Sequence, residues 1–79
     1  MRLDILPLNT PATIAEIDWP SLGTAAARRL KAFGFEDGAN IEALHFGGII
    51  AQDPIAVRIG RMTIALRREQ AASITVTPQ

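Results

Sequence analysis

The sequence has no cysteine, a single histidine and no net formal charge, since 8 basic side chains balance 8 acidic ones. Each shortage removes a class of function. Without cysteine there is no disulfide framework and no thiolate metal cluster, and nothing argues for an oxidising compartment. Balanced charge removes the electrostatic footprint of a nucleic-acid binder, whose affinity rests on neutralising phosphates. Long hydrophobic runs are missing too. The longest uncharged apolar stretch, around Phe46 to Ala51, is far short of the roughly 20 residues a membrane helix needs. Met1-Arg2-Leu3-Asp4 shows neither a sustained apolar stretch nor a small-residue cleavage site, so no secretory signal is expected. The expectation is a cytoplasmic protein without direct membrane insertion.

What is present suits one small domain over residues 1–79, near the lower size limit for stability without disulfides or metal. No low-complexity segment, internal repeat or linker interrupts it. The first ten residues are poorly patterned, and Pro7 and Pro11 oppose a regular helix there. Thr13 to Ile17 alternates at period two and predicts a short strand that ends at Asp18-Trp19-Pro20. Ser21 suits an N-cap, and Leu22, Ala26, Leu30 and Phe33 then mark one face of an α-helix. Arg28, Arg29 and Lys31 fall towards its C-terminal half, where positive charge suits the helix dipole. Gly34 is placed as the left-handed residue that ends the helix, with Phe35 packing back on its last turn.

Glu36-Asp37-Gly38 predicts a turn, and three strand-like runs follow. They are Ile41–Phe46, Pro54–Ile59 with Ile55, Val57 and Ile59 on one face, and Met62–Arg67 with Met62, Ile64 and Leu66 inward. Gly60-Arg61 suits a two-residue type II′ hairpin between the last two. A helical turn at Arg68–Ala72 and a last strand at Ser73–Thr77 complete the pattern. One helix plus about five short strands, each with one apolar face, predicts a mainly β fold closed into a small barrel and plugged by the helix. Ile14, Ile41, Ile55, Val57, Ile59, Ile64, Leu66, Ile74 and Val76 would fill it, and closure would remove exposed strand edges.

Three passages carry a family resemblance. Arg29 to Gly38 is similar to the helix-to-strand passage of the FeoA family (ferrous iron transport protein A), with its Arg-Leu and Gly-Phe pairs and closing Gly. Asp53-Pro54-Ile55-Ala56-Val57 resembles that family's Asp-Pro strand start. Ile64 to Ala71 resembles its Ala-Leu-Arg segment, and Ile74-Thr75-Val76 follows in order. The resemblance covers roughly Leu8 to Thr77. Departures are Thr10-Pro11-Ala12 and Gln52 where the family usually or often has glycine, and a distinctive hairpin from Phe46 to Asp53. The resemblance implies an SH3-like β-barrel and an accessory of the FeoB-type ferrous iron permease, a membrane protein with a cytosolic GTP-binding domain. It also implies two alternatives: a regulator of that partner's GTPase activity, or a stand-alone relative of iron-dependent repressor C-terminal domains. No helix-turn-helix segment supports the repressor reading.

The residues themselves offer little chemistry. His45, with Asp53 and Glu42 as neighbours, falls short of the several converging groups an Fe²⁺ site needs, so transition-metal binding is at most weak and no cofactor is expected. Ser21 and Ser73 have no local histidine, and Glu36-Asp37 suits a turn. Gly47-Gly48 precedes neither a helix nor a Lys-Ser/Thr signature, so a phosphate loop is not supported. An enzyme is not expected.

What remains is interaction. Phe46, Ile49 and Ile50 make an unusually apolar loop, which either folds back on the core or forms a binding patch. Arg58, Arg61 and Arg67 would form either a solvated face or a docking face for an acidic patch. Arg28, Arg29 and Arg67 are the arginines that could act on a partner GTPase. Oligomeric state is not legible in the pattern, and weak self-association is compatible with it.

Overall fold

The computed structural model describes residues 1–47 and 53–79. Period-two alternation yields five strands: β1 (Pro11–Ile17), β2 (Asn40–Phe46), β3 (Ile55–Ile59), β4 (Met62–Leu66) and β5 (Ile74–Pro78). They form one antiparallel sheet in the order β4-β3-β2-β1-β5. The number of strands is as expected, but the sheet is not a closed barrel. Strands β4 and β5 are its two edges and do not pair with each other. Among the described residues there are also three helices rather than one: α1 (Trp19–Leu22), α2 (Thr24–Ala32) and α3 (Arg68–Ala71). A 3-10 turn at Leu3–Ile5 precedes them.

Two bulges let this open sheet wrap one core. The β1–β5 register shifts between Ile14 and Glu16, and the β2–β3 register shifts between Ala43 and His45. Each extra residue bends its strand and reverses which parity faces inward. Ala12 and Ile14 are buried before the first bulge and Ile17 after it. Ile41 and Ala43 are buried before the second, and Phe46 turns half inward after it, leaving His45 exposed.

The edges are not joined, and each is occupied at one point by another part of the chain. At β5 the N-terminal ammonium donates to Val76 O (2.9 Å), and Val76 N–H donates to Met1 O (2.7 Å). At β4 the Arg29 guanidinium donates to Ala65 O (3.1 Å). Groups satisfied in this way no longer offer a pairing template to another chain.

The core contains the expected Ile14, Ile41, Ile55, Val57, Ile59, Leu66, Ile74 and Val76, with Ile64 only half-buried at its margin. Met62, expected inward, is 41% exposed, because it sits at the turn end of an edge strand with a neighbour on one side only. The poorly patterned N-terminus contributes Leu3 and Leu6, both buried around the 3-10 turn.

Ser21 is not the N-cap. Asp18 takes that role for α1: its carboxylate accepts the Ser21 N–H (3.4 Å) and the Ser21 hydroxyl (2.6 Å). Gly23, at φ 83°, then separates α1 from α2. The end of α2 is as expected. Gly34 adopts φ 94°, its N–H donates to Lys31 O, and Phe35 N–H donates to Leu30 O, the paired bonds of a Schellman motif. Gly60-Arg61 is a two-residue hairpin loop flanked by the Ile59–Met62 pair.

Candidate partner-docking surface

Strands β2 and β3 converge where Phe46 faces Ile55. Just beyond, Gly47 N–H donates to Pro54 O at 2.6 Å. A Cβ on Gly47 would lie 3.1 Å from Pro54 Cδ and 3.2 Å from its carbonyl oxygen, so this approach favours glycine. Asp53 accepts the Arg68 N–H at 3.1 Å, and Arg67 Nη1 lies 4.0 Å from the same carboxylate oxygen. A carboxylate here satisfies a free amide and complements the positive end of α3. The Arg68 guanidinium lies over the Phe46 ring, 5.8 Å from its centroid, and Phe46 packs against the core beneath. Phe46, Asp53, Arg67 and Arg68 are therefore one cluster at the base of segment 48–52.

Asp53→Ala removes the acceptor for α3 and is expected to cost about 1 kcal/mol, read as a lowered denaturant midpoint. Asp53→Asn, which keeps an acceptor oxygen, is expected to recover part of it. Equal losses in the two variants would argue against the capping role.

Arg58 and Arg61 lie apart from this cluster. Arg58 faces Glu42 across β2 and β3 and reaches it at 3.6 Å, on the face turned away from the core. Arg61 is exposed in the adjoining turn. Arg67 follows Thr63, the partner of Arg58, by four positions, about 13 Å along an extended strand. The expected docking residues thus divide into Phe46 with Arg67 at one end of β4, and Arg58 with Arg61 at the other. The Arg58 and Arg67 side chains are more than half exposed. Exposed ion pairs of this kind contribute about 0–1 kcal/mol, so a partner's carboxylate could replace either acid at small cost. Ile49 and Ile50 lie outside the described residues.

His45 is exposed on β2 opposite Ala56, while Glu42 and Asp53 both lie against arginines. Among the described residues, no three His, Asp or Glu side chains converge as a metal site would need. No helix among them is long and apolar enough to cross a membrane. Of the arginines that could act on a GTPase, Arg29 is bound to Ala65 O and Arg67 lies against Asp53, which leaves Arg28. Arg68 was not singled out from the sequence. Its partners Phe46 and Asp53 are 22 and 15 positions away, beyond any local pattern.

The FeoA domain family model matches residues 1–78. Among curated proteins, none matches the chain. Solved structures do. The FeoA protein from Chlorobium tepidum is 31% identical with a TM-score of 0.84, over 99% of this chain and 70% of that one. Iron(II) transport protein A from Clostridium thermocellum is 29% identical with a TM-score of 0.82, over 99% of this chain and 45% of that one. Stenotrophomonas maltophilia FeoA, complexed with zinc, is 30% identical with a TM-score of 0.78, over 98% of this chain and 89% of that one. That protein is described as a prokaryotic SH3 domain protein with a suggested role as a bacterial ferrous iron transport activating factor.

Proposed function

This chain belongs to the FeoA family of SH3-like domains, and from that premise we propose that it is a non-enzymatic cytoplasmic accessory of ferrous iron uptake. It acts as an interaction module that docks on the cytosolic part of an FeoB-type permease. The observation that carries this reading is the cluster at the base of segment 48–52. Phe46 is held between the core and the Arg68 guanidinium, and Asp53 is held by the first amide of α3. Phe46 and Asp53, which flank the apolar segment in sequence, are therefore held in place on the fold, which lowers the entropy these two lose on meeting a partner.

In this reading Phe46, Ile49 and Ile50 supply the apolar contact, with Ile49 and Ile50 assigned from sequence alone. Arg67 borders them, and Arg58 with Arg61 extends the surface along β3 and β4. The apolar residues supply most of the affinity, and the exposed arginines set orientation and encounter rate.

The test is capture of detergent-solubilised FeoB-type permease by this protein and by its Ile49→Asp plus Ile50→Asp variant. Burying two carboxylates in an apolar contact should weaken capture at least tenfold. A folded double variant that captures as well as the parent would remove these residues from the interface.

A further inference from the structure

We propose that the notch between α1 and α2 is a docking groove for a short acidic segment of a partner protein, one that inserts a single apolar side chain. This surface involves neither Phe46 nor Arg58, Arg61 or Arg67.

The notch follows from the local sequence. Gly23, at φ 83°, turns the chain between the two helices, and beyond its immediate chain neighbours nothing lies within 4 Å of the place where its Cβ would be. The depression left between them is open to solvent and measures about 520 Å³, room enough for one side chain. Gly23 and Ala27 keep it open, Trp19 and Pro20 line it with apolar surface, and Arg28 and Lys31 border it with charge. No acidic side chain lines it.

Its charge is uncompensated as well. Arg2, Arg58 and Arg67 each lie against a carboxylate. Among the described residues Arg28 and Lys31 do not, nor do Arg29, Arg61 and Arg68, but of these five only Arg28 and Lys31 border a concave surface free of acidic side chains. No acidic residue occurs anywhere in α2. The Lys31 ammonium lies 4.8 Å from the centroid of the Trp19 ring, which orders the apolar wall and the charge beside it. Trp and Arg bordering a concave site are the residue types that dominate protein interfaces. A lipid surface needs an apolar face that projects, and here the apolar atoms line a depression. A nucleic acid needs a broad excess of positive charge, and this chain has formal net charge +0.

Trp19 is the only tryptophan, so its emission reports on this notch directly. The probe is a capped peptide of about ten glutamates and aspartates around one leucine, titrated into the full chain at low salt. A saturable change in Trp19 emission is expected, weakening roughly tenfold as salt rises to about 0.5 M. Arg28→Glu leaves Lys31 on the Trp19 ring and should weaken the peptide at least fivefold. Ala27→Leu keeps every charge and fills the notch, and should weaken it to a similar degree. Circular dichroism confirms that both variants are folded, and backbone amide shifts should localise the parent's response to α1 and α2. Absence of a saturable change, or parent-like binding by either folded variant, overturns the proposal. So does a response to phosphatidylglycerol vesicles without one to the peptide.

Discussion

Replacing both Leu3 and Leu6 with alanine is expected to cost about 4–8 kcal/mol, enough to leave most of the chain unfolded at room temperature. A domain of 79 residues has roughly 4–12 kcal/mol of stability to lose. Both leucines are essentially inaccessible, at 1% and 2% exposure, and both belong to the same core as the strands. Each truncation removes transfer energy and leaves a cavity that neighbouring side chains only partly fill. The two lie one turn apart, so their costs are not strictly additive. Ile5, between them in sequence, is 56% exposed, and Ile5→Ala should shift stability by no more than about 0.5 kcal/mol. Urea unfolding of the three proteins makes the comparison. A double variant with the parent's midpoint would show that the N-terminal turn is not part of the core.

The second large effect is expected at Phe35. Its ring is fully buried and its N–H closes the Schellman motif on Leu30 O, so one residue ends α2 and fills the core beneath it. Phe35→Ala should cost about 3–5 kcal/mol, mostly through the cavity, since the backbone bond survives the substitution. Phe33, two positions earlier, is only half-buried beneath Arg29. Phe33→Ala should therefore cost clearly less, about 1–2 kcal/mol. If the two variants lost equal stability in urea, the Schellman placement of Phe35 would not be what secures the helix to the sheet.

The functional reading depends on the same framework. Phe46 and Asp53 are positioned by β2, β3 and α3, so a substitution that loosens the core would impair the proposed docking without touching the surface. Binding assays on surface variants are informative only beside a measured unfolding midpoint. The α1–α2 notch is less exposed to this ambiguity. Arg28 is solvent-exposed and Ala27 only partly buried, so neither variant empties the core.

Local chemistry made much of the fold legible. Ile55, Val57 and Ile59 alternate within five residues and are all buried on β3. Gly34-Phe35 marked the end of α2, and Gly60-Arg61 marked the β3–β4 hairpin, because positive φ is a property of single residues. Other features were not legible. The bulges in β1 and β2 reverse the inward parity, so strict alternation would leave Ile17 outside. Leu3 and Leu6 are a single i, i+3 pair in a one-turn 3-10 segment, too short to show a period. Ser21 was a plausible cap by composition, but Asp18 was better placed to accept its amide.

By itself, then, the sequence determined five short strands, a helix with a glycine stop, a largely aliphatic core and a surface with little catalytic chemistry. These follow from side-chain periodicity and backbone preference, which act over a few residues. Only the tertiary structure decided that the sheet stays open, with Met1 bonded to Val76 on the β5 edge and Arg29 to Ala65 on the β4 edge. It also decided that Arg67 and Arg68 gather around Phe46 and Asp53, while Arg58 turns to Glu42. Those choices depend on strand register and on contacts between distant positions. Edge contacts, ion pairing and ring stacking all act through space, and no local pattern in the chain encodes them.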